Sequence, residues 1–413
     1  MNYSADIAII GGGAAGLTAA ITAKRKMPCL EVYIFEALDR VGKKLIATGN
    51  GRCNITNKNL LPEHFHGQDK DFATNIFSRY SNTEIAEFFG SLGVPFVFEG
   101  EKAFPASLQA SSVVDCLRFE CERLGVKTIC GTKVCDISFK NPIRLEFDGG
   151  FATAKTVIAA TGLYSGGDKL GSDGSFYRVL KNKGFNTVKI SPSIVQIKTE
   201  TNFVKQLKGI KTDAEVSLIK NNKVIKSQFG EVLFCDYGLS GPAVMNISRE
   251  AFRTEEMFEI ALDLFPNLSV KELSDQILER AKTLSHRSLE EFFTGMLNKR
   301  LGQVALKYAD FKLSETATVI DLQAAEKIAF ALKCFKFKVT GNTGFINSQV
   351  SAGGLSTSDF FVKTLMSKKY GGFFACGELL DIDGDCGGFN LAFAWASGML
   401  AADSATRYLG EKQ

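Results

Sequence analysis

The sequence predicts an α/β fold in which a parallel-sheet domain, assembled from both ends of the chain, is interrupted by a β-rich insertion. Three observations predict it. Asp6–Glu36 reads as strand, glycine turn, helix, strand and acid. From about Pro192 to Gly341 the pattern changes to short alternating segments, and the last stretch returns to a short apolar run, a glycine loop and a long apolar helix. The shifts place the first domain at residues 1–190 and 345–413. The insertion is residues 191–344, with a helical subdomain over about 268–332.

In the opening segment, Ile7–Ile10 is short and apolar enough for a buried parallel strand, and Gly11, Gly13 and Gly16 follow with G-x-G-x-x-G spacing. The first glycine permits a tight turn, the second lets the backbone approach a pyrophosphate, and the third lets the helix pack on the strand. A helix over Leu17–Lys26 then turns its free N–H groups toward the diphosphate. Val32–Phe35 returns as a strand. Glu36 stands where a carboxylate accepts hydrogen bonds from ribose hydroxyls and repels a 2′-phosphate, which points to FAD or NAD over NADP. The uncharged run near the start reads as neither a signal peptide nor a membrane helix, because Asp6 opens it and three glycines interrupt it.

Composition bounds the function. A net charge of +4 dispersed over 413 residues argues against nucleic acid, and a hydrophobic share of 45% fits a globular enzyme with no membrane partner. Ten cysteines without a C-x-x-C pair read as free thiols of a reducing cytoplasm. His64 and His66 form the only H-x-H and read as a solvent-facing loop, so no metal is expected. With only His286 left over, hydrolase triads lack candidates. The 34 phenylalanines are spread among aliphatic residues and read as core.

After Glu36, the segment ALDRVGKKLIATGNGRCNITN reads as a loop at the carboxyl end of the second strand, where ligands of open α/β sheets bind. Gly49, Asn50 and Gly51 allow tight turns, and Arg40, Lys43, Lys44 and Arg52 bring positive charge toward the diphosphate. Asn82–Leu92 and Ser111–Leu124 read as helices. Thr132–Phe139 and Ile143–Phe147 read as an antiparallel meander, and Thr156–Thr161 as a strand returning to the parallel sheet and ended by Gly162. That layout is the one found in FAD domains of the glutathione-reductase type. In the insertion, Ala214–Ile219, Lys223–Phe229 and Phe258–Leu264 predict a β-barrel or sandwich, and Val270–Leu284, Ser288–Ala309 and Asp321–Leu332 predict helices.

Gly372–Cys376 is a further buried-strand candidate. Beyond it, Gly387 and Gly388 precede a long apolar helix whose first N–H groups, at Phe389, Asn390 and Leu391, face a ligand; Glu378, Asp381, Asp383 and Asp385 offer carboxylates. A helix start of this kind stabilises negative charge near N1 and the C2 carbonyl of a reduced flavin. The acidic DIDGD lacks the twelfth-position glutamate of a calcium loop. The meander and this second helix start are contacts that a flavin dinucleotide needs, so FAD is the expected cofactor.

DIAIIGGGAAGLTAA, GKKLIATGNGRCNITN, VIAATGLYSGGDKLGSDGSFY, FGEVLFCDYGLSGPAVMNIS and CGELLDIDGDCGGFNLAFAWASG together resemble the YhiN/BaiN-type bacterial flavoproteins, also described as aminoacetone-oxidase-like NAD(P)/FAD-dependent oxidoreductases. The resemblance spans the chain, and GNGRCN and GELLDIDGDCGGFN are its most specific blocks. It implies a glutathione-reductase-type FAD domain with a β-barrel-like insertion and a small helical domain. It further implies that Gly11, Gly13, Ala14, Ala15 and Gly16 line the diphosphate and that Glu36 holds the adenosine ribose. Lys43, Lys44, Asn50, Gly51, Arg52, Cys53 and Asn54 would run along pyrophosphate and flavin, and Val134 would border adenine. Thr161 and Gly162 would close the strand above the cofactor. Gly377, Glu378, Gly388, Phe389, Asn390 and Leu391 would meet the ribityl chain and ring. Leu163–Asp168 departs from the family's turn after the strand.

The expected activity is hydride transfer between flavin N5 and a small organic substrate; no second G-x-G-x-x-G is present, so if NAD(P)H is the reductant it binds only transiently. The alternative is a non-catalytic flavin-binding module whose insertion docks a macromolecular partner. Cys53 and Cys386 invite a redox-disulfide reading, and Tyr164, Tyr237 and Lys169 are proton-donor candidates. The sequence leaves the catalytic residues and oligomeric state open.

Overall fold

The computed structural model describes residues 1–69, 71–253 and 256–411. The chain divides into two compact units, Met1–Pro192 with Phe345–Gln413, and Ser193–Gly344. The first is an α/β Rossmann-type domain and the second contains a closed barrel.

In the first unit, β1 (Asn2–Ile10) leads through α1 (Ala14–Lys26) to β2 (Val32–Phe35). The sheet continues with β3 (Lys127–Ile129), β4 (Val134–Ser138), β5 (Ile143–Phe147), β6 (Gly150–Ala159) and β7 (Phe373–Ala375). Its order is β3-β2-β1-β6-β5-β4, with β7 also on β6. One long strand joins the two kinds of pairing. β6 runs parallel to β1 from Asn2↔Phe151 to Ile10↔Ala159. Its other edge pairs antiparallel with β5 over residues 150–154 and parallel with β7 over 157–159. The parallel strands are buried on both faces, which is why Ile7–Ile10, Val32–Phe35 and Val157–Ala159 are continuous apolar runs.

The C-terminal helix, α2 (Phe389–Gly410), packs along α1. Both are buried almost all round, so neither shows the one-sided stripe of a surface helix. Gly398 makes the approach possible, since a Cβ there would sit 2.5 Å from the Ala15 carbonyl oxygen. Trp395 is fully buried and donates its indole N–H to the Ile55 carbonyl at 3.0 Å, tying α2 to the loop after β2.

Two local expectations give way to capping chemistry. The segment after Glu36 is not loop throughout. Lys43–Ala47 forms a short helix, because Leu45 is buried and Gly42 N–H is held by the Gly12 carbonyl at 2.9 Å. In the insertion, helix covers Lys299–Tyr308 and not the whole of Ser288–Ala309. Asn298 caps it, accepting from Arg300 and Leu301 N–H, while Ser288 and Leu289 bond instead to the Thr316 and Glu315 segment.

The second unit's barrel closes in the order Ile197–Thr199, Gly238–Ser240, Lys223–Phe234, Lys211–Lys220, Glu259–Asp263, Phe335–Asn342 and back to the first. Val216, Leu218, Val232, Phe234, Ile260 and Phe335 belong to its core, which is separate from that of the sheet domain. Helices Val270–Thr283 and Leu322–Lys333 begin at side-chain caps, Ser269 with Glu272 in a capping box and Asp321 on Ala324 N–H.

Candidate cofactor site

The glycine turn between β1 and α1 has a separate steric reason at each position. Gly11 takes φ +101°, and a Cβ there would meet the Ala160 carbonyl oxygen at 2.6 Å, so the turn lies against the carboxyl end of β6. A Cβ at Gly16 would lie 1.9 Å from the Gly11 carbonyl oxygen, which fixes the helix directly on the turn. Gly13 differs. Nothing lies within 4 Å of a Cβ built on it, so this N-cap residue borders open space in front of the first N–H groups of α1. Ala14 and Ala15 open the helix.

Glu36 ends β2 beside that turn. Its Oε2 accepts from Gly12 N–H at 2.7 Å and its Oε1 from Leu38 N–H at 2.9 Å. Its own backbone bonds both ways to the segment leading into β4, with Glu36 N–H to the Ile129 carbonyl and Thr132 N–H to the Glu36 carbonyl. Val134, two residues after Thr132, begins β4 and is buried.

The GNGRC segment has consecutive left-handed residues, Gly49, Asn50 and Gly51 at φ +58°, +55° and +81°, and Cys53 follows at +60°. The turn is closed from within by Arg52 N–H on the Gly49 carbonyl and Cys53 N–H on the Thr48 carbonyl, both at 3.1 Å. Three basic side chains around it face acids. Lys43 pairs with Asp39 at 2.6 Å, and Arg52 pairs with Glu99 at 2.8 Å while lying 4.4 Å above the Phe104 ring. Lys44 forms an ion pair with Glu378, joining the first segment of the domain to the second. Glu378 also accepts from the Ser165 hydroxyl and, at 2.8 Å, from Ser351 N–H; the Ser351 hydroxyl in turn accepts from Ser165 N–H at 3.1 Å. Both serines are buried. Gly162, at the end of β6, lies opposite: a Cβ there would be 3.7 Å from Glu378 Oε2. Thr161 turns its hydroxyl to the Gly162 carbonyl at 3.2 Å.

At the start of α2, Gly388 has φ +99°, and a Cβ on it would meet the Thr56 carbonyl oxygen at 2.5 Å and Asn54 Oδ1 at 2.7 Å. Asn390 clasps one peptide group, accepting from Gly384 N–H and donating to the Gly384 carbonyl, both at 2.8 Å. Gly377 N–H is held by the Ser397 hydroxyl at 2.9 Å. Phe389 is buried, and Leu391 is half-buried.

His64 and His66 do not form a solvent-facing loop. Both converge on Asp385, His64 Nδ1 at 3.0 Å and His66 Nε2 at 2.8 Å, and His64 stacks on Phe389 with centroids 4.5 Å apart. Their backbones also pair with residues 383–385. The H-x-H spacing signalled only that the two rings share a face of an extended segment, not that Asp385 is their partner. Among the described residues no group of three or more His, Cys, Asp and Glu is arranged to hold a metal. Ser165 and Ser351 had no such signal, since their partners are far away in sequence.

Burial raises the thiols nearest this site. Cys53 and Cys376 are each pushed up to about 12, and Cys386 is also raised, in every case chiefly by desolvation. A buried thiol is a poor nucleophile. Alkylation of the folded protein at pH 8, read by peptide mass spectrometry, is expected to spare Cys53 and Cys376 and to label exposed Cys29 and Cys135. Labelling of Cys53 at the rate of Cys29 would contradict this.

Two features test the fit of FAD. The open space at Gly13 admits a diphosphate, and Asn54 Oδ1 at the α2 start is a buried acceptor with no hydrogen-bond partner. The family model described as the HI0933-like protein Rossmann domain matches residues 5–404. The chain belongs to this HI0933-like family. Family and fold imply FAD as the cofactor. Among relatives of this HI0933-like chain, the 3-dehydro-bile acid delta(4,6)-reductase of Clostridium scindens is 34% identical over 97% of this chain and 98% of its own length. The ribosomal RNA dihydrouridine synthase of Haemophilus influenzae is 26% identical over 98% and 99%. An E. coli quinol fumarate reductase structure superposes with a TM-score of 0.51 at 16% identity, covering 100% of this chain and 72% of that one, and shares the fold. Among the described residues no helix is long and apolar enough to cross a membrane.

Proposed function

We propose that this chain is an FAD-dependent reductase that saturates a carbon–carbon double bond conjugated with a carbonyl group in a small, flat organic substrate. The observation behind it is the pair of relatives. A delta(4,6)-reductase of a 3-dehydro-bile acid and a dihydrouridine synthase are named for different substrates, yet both names describe adding hydrogen across a double bond conjugated with a carbonyl. Bound FAD supplies the hydride at N5.

The protein's share is binding and orientation. Gly11, Gly13 and Gly16, with the N–H groups at Ala14 and Ala15, receive the diphosphate. Glu36 keeps lone pairs beyond its two backbone bonds and takes the adenosine ribose, with Val134 beside the adenine. Asn50, Gly51, Arg52, Cys53 and Asn54, with Lys43 and Lys44, run along the pyrophosphate and the flavin. Thr161, Gly162, Gly377 and Glu378 close over the ribityl chain, and the α2 start at Gly388, Phe389, Asn390 and Leu391 takes the ring's acceptor edge. NAD(P)H serves as a transient reductant, and the ten cysteines, none of them in a disulfide, fit a cytoplasmic location.

A second reading, reduction of a uridine in ribosomal RNA, is favoured by the two relatives of that name at 26% and 25% identity and opposed by the low net charge of +4. The purified protein is expected to show a flavin spectrum, to be bleached anaerobically by NADH or NADPH, and to regain its colour with a conjugated enone steroid. Recolouring by unmodified ribosomal RNA alone, with a two-dalton gain in one uridine, would replace the first reading by the second. A flavin inert to every reductant and acceptor would leave the non-catalytic module with a docking insertion.

A further inference from the structure

The α2 start presents a row of donors, because the first N–H groups of a helix have no partner within it. Acceptors nearby are nearly all engaged. Asn390 Oδ1 is taken by Gly384 N–H, Asn57 Oδ1 by Asn59 N–H at 2.9 Å, and the two Asp385 oxygens by His64 and His66. Asn54 Oδ1 is the exception. It is buried, has no partner, and stands 2.7 Å from the position a Cβ would take on Gly388. A buried amide oxygen left unpaired costs free energy, so this position calls for a donor from a ligand.

The polar edge of an isoalloxazine ring runs N1, C2 carbonyl, N3–H, C4 carbonyl. N1 and the carbonyls only accept, and N3–H is the one donor of the oxidised ring. Helix N–H groups suit the acceptors and cannot serve N3–H, which needs an oxygen beside them. We infer that Asn54 Oδ1 accepts the hydrogen bond from flavin N3–H, so that the GNGRCN loop and the α2 start together read the ring's imide edge. This rests on the FAD reading above and assigns one side chain to one ring atom. Asn54 thereby selects a flavin with a free N3–H.

The test replaces that proton by a methyl group. Full-length protein is reconstituted with FAD or with 3-methyl-FAD, and affinity is read by flavin fluorescence. The wild type is expected to hold FAD at least about tenfold more tightly than 3-methyl-FAD, the scale of one lost hydrogen bond. Asn54→Ala, which removes the acceptor and makes room for the methyl, is expected to hold the two alike within about twofold. Asn54→Asp, which keeps an oxygen there, should restore the preference. Should the Ala variant fail to fold, the wild-type holoprotein still decides: with 15N-labelled FAD, N3–H should be protected from exchange with water. Equal affinity of the wild type for both flavins, or an N3 proton exchanging as in free FAD, overturns the assignment while leaving the FAD reading intact. A protein that takes up neither flavin fails at the earlier step and removes both.

Discussion

Gly13→Ala is expected to fold as the wild type does and to bind FAD about ten- to a hundredfold more weakly, whereas Gly16→Ala is expected to fail at folding itself. The two glycines stand three residues apart in one motif and differ in what a methyl group meets. At Gly16 it meets the Gly11 carbonyl oxygen at 1.9 Å, a backbone atom that cannot move without opening the turn. Overpacking against main chain of this kind costs about 3 kcal/mol or more. At Gly13 it meets nothing within 4 Å, and φ −85° with ψ −167° is open to alanine. Alanine is a poorer N-cap than glycine, but its smaller unfolded-state entropy offsets that within about 1 kcal/mol. The methyl group then occupies the space assigned to the diphosphate. Urea unfolding of the cofactor-free chains and FAD titration separate the effects. Full FAD affinity in the Gly13 variant would remove the diphosphate from this turn.

That contrast also marks what the sequence could and could not express. The steric roles of Gly11 and Gly16 were legible because the turn, the strand and the helix are adjacent in sequence and each constraint acts within a few residues. The meander and the start of α2 were legible for the same reason, since period-two alternation and a glycine pair before an apolar run are local patterns. The half-buried cluster of His64, His66 and Asp385 was not, because its two parts lie about three hundred residues apart and meet only when residues 64–66 pair with 383–385. The short helix at Lys43–Ala47 was hidden by the polar composition around it, and Leu45 is its one fully buried residue. The long helix read over Ser288–Ala309 failed through a single cap. The apolar spacing before Asn298 belongs to turns that bond to residues 313–316, and periodicity does not distinguish buried turns from a helix.

Glu378→Ala is expected to destabilise the sheet domain by about 3–5 kcal/mol, more than any single surface ion pair in it. Its carboxylate has an exposure of only 16% and gathers three donors, the Lys44 ammonium, the Ser165 hydroxyl and the Ser351 N–H. These come from three separated stretches of chain, the segment after β2, the turn after β6 and the segment before β7. Truncation leaves the Lys44 ammonium with the Ser165 hydroxyl oxygen but no counter-charge, and leaves two buried donors without their acceptor; abandoned partners cost more than the bonds themselves contributed. Glu378→Gln separates charge from hydrogen bonding. An amide can still accept from the Ser165 hydroxyl and the Ser351 N–H, but it offers Lys44 no counter-charge, so a loss near half that of alanine is expected. Lys44→Met tests the other partner and leaves the carboxylate its two neutral donors. If the carboxylate acts as the hub of these contacts, the order of urea midpoints is wild type, Glu378→Gln, then Glu378→Ala. A Glu378→Ala midpoint within error of the wild type would mean that the three stretches are held by packing alone, and Glu378 would then be free to serve the ribityl chain without any structural duty.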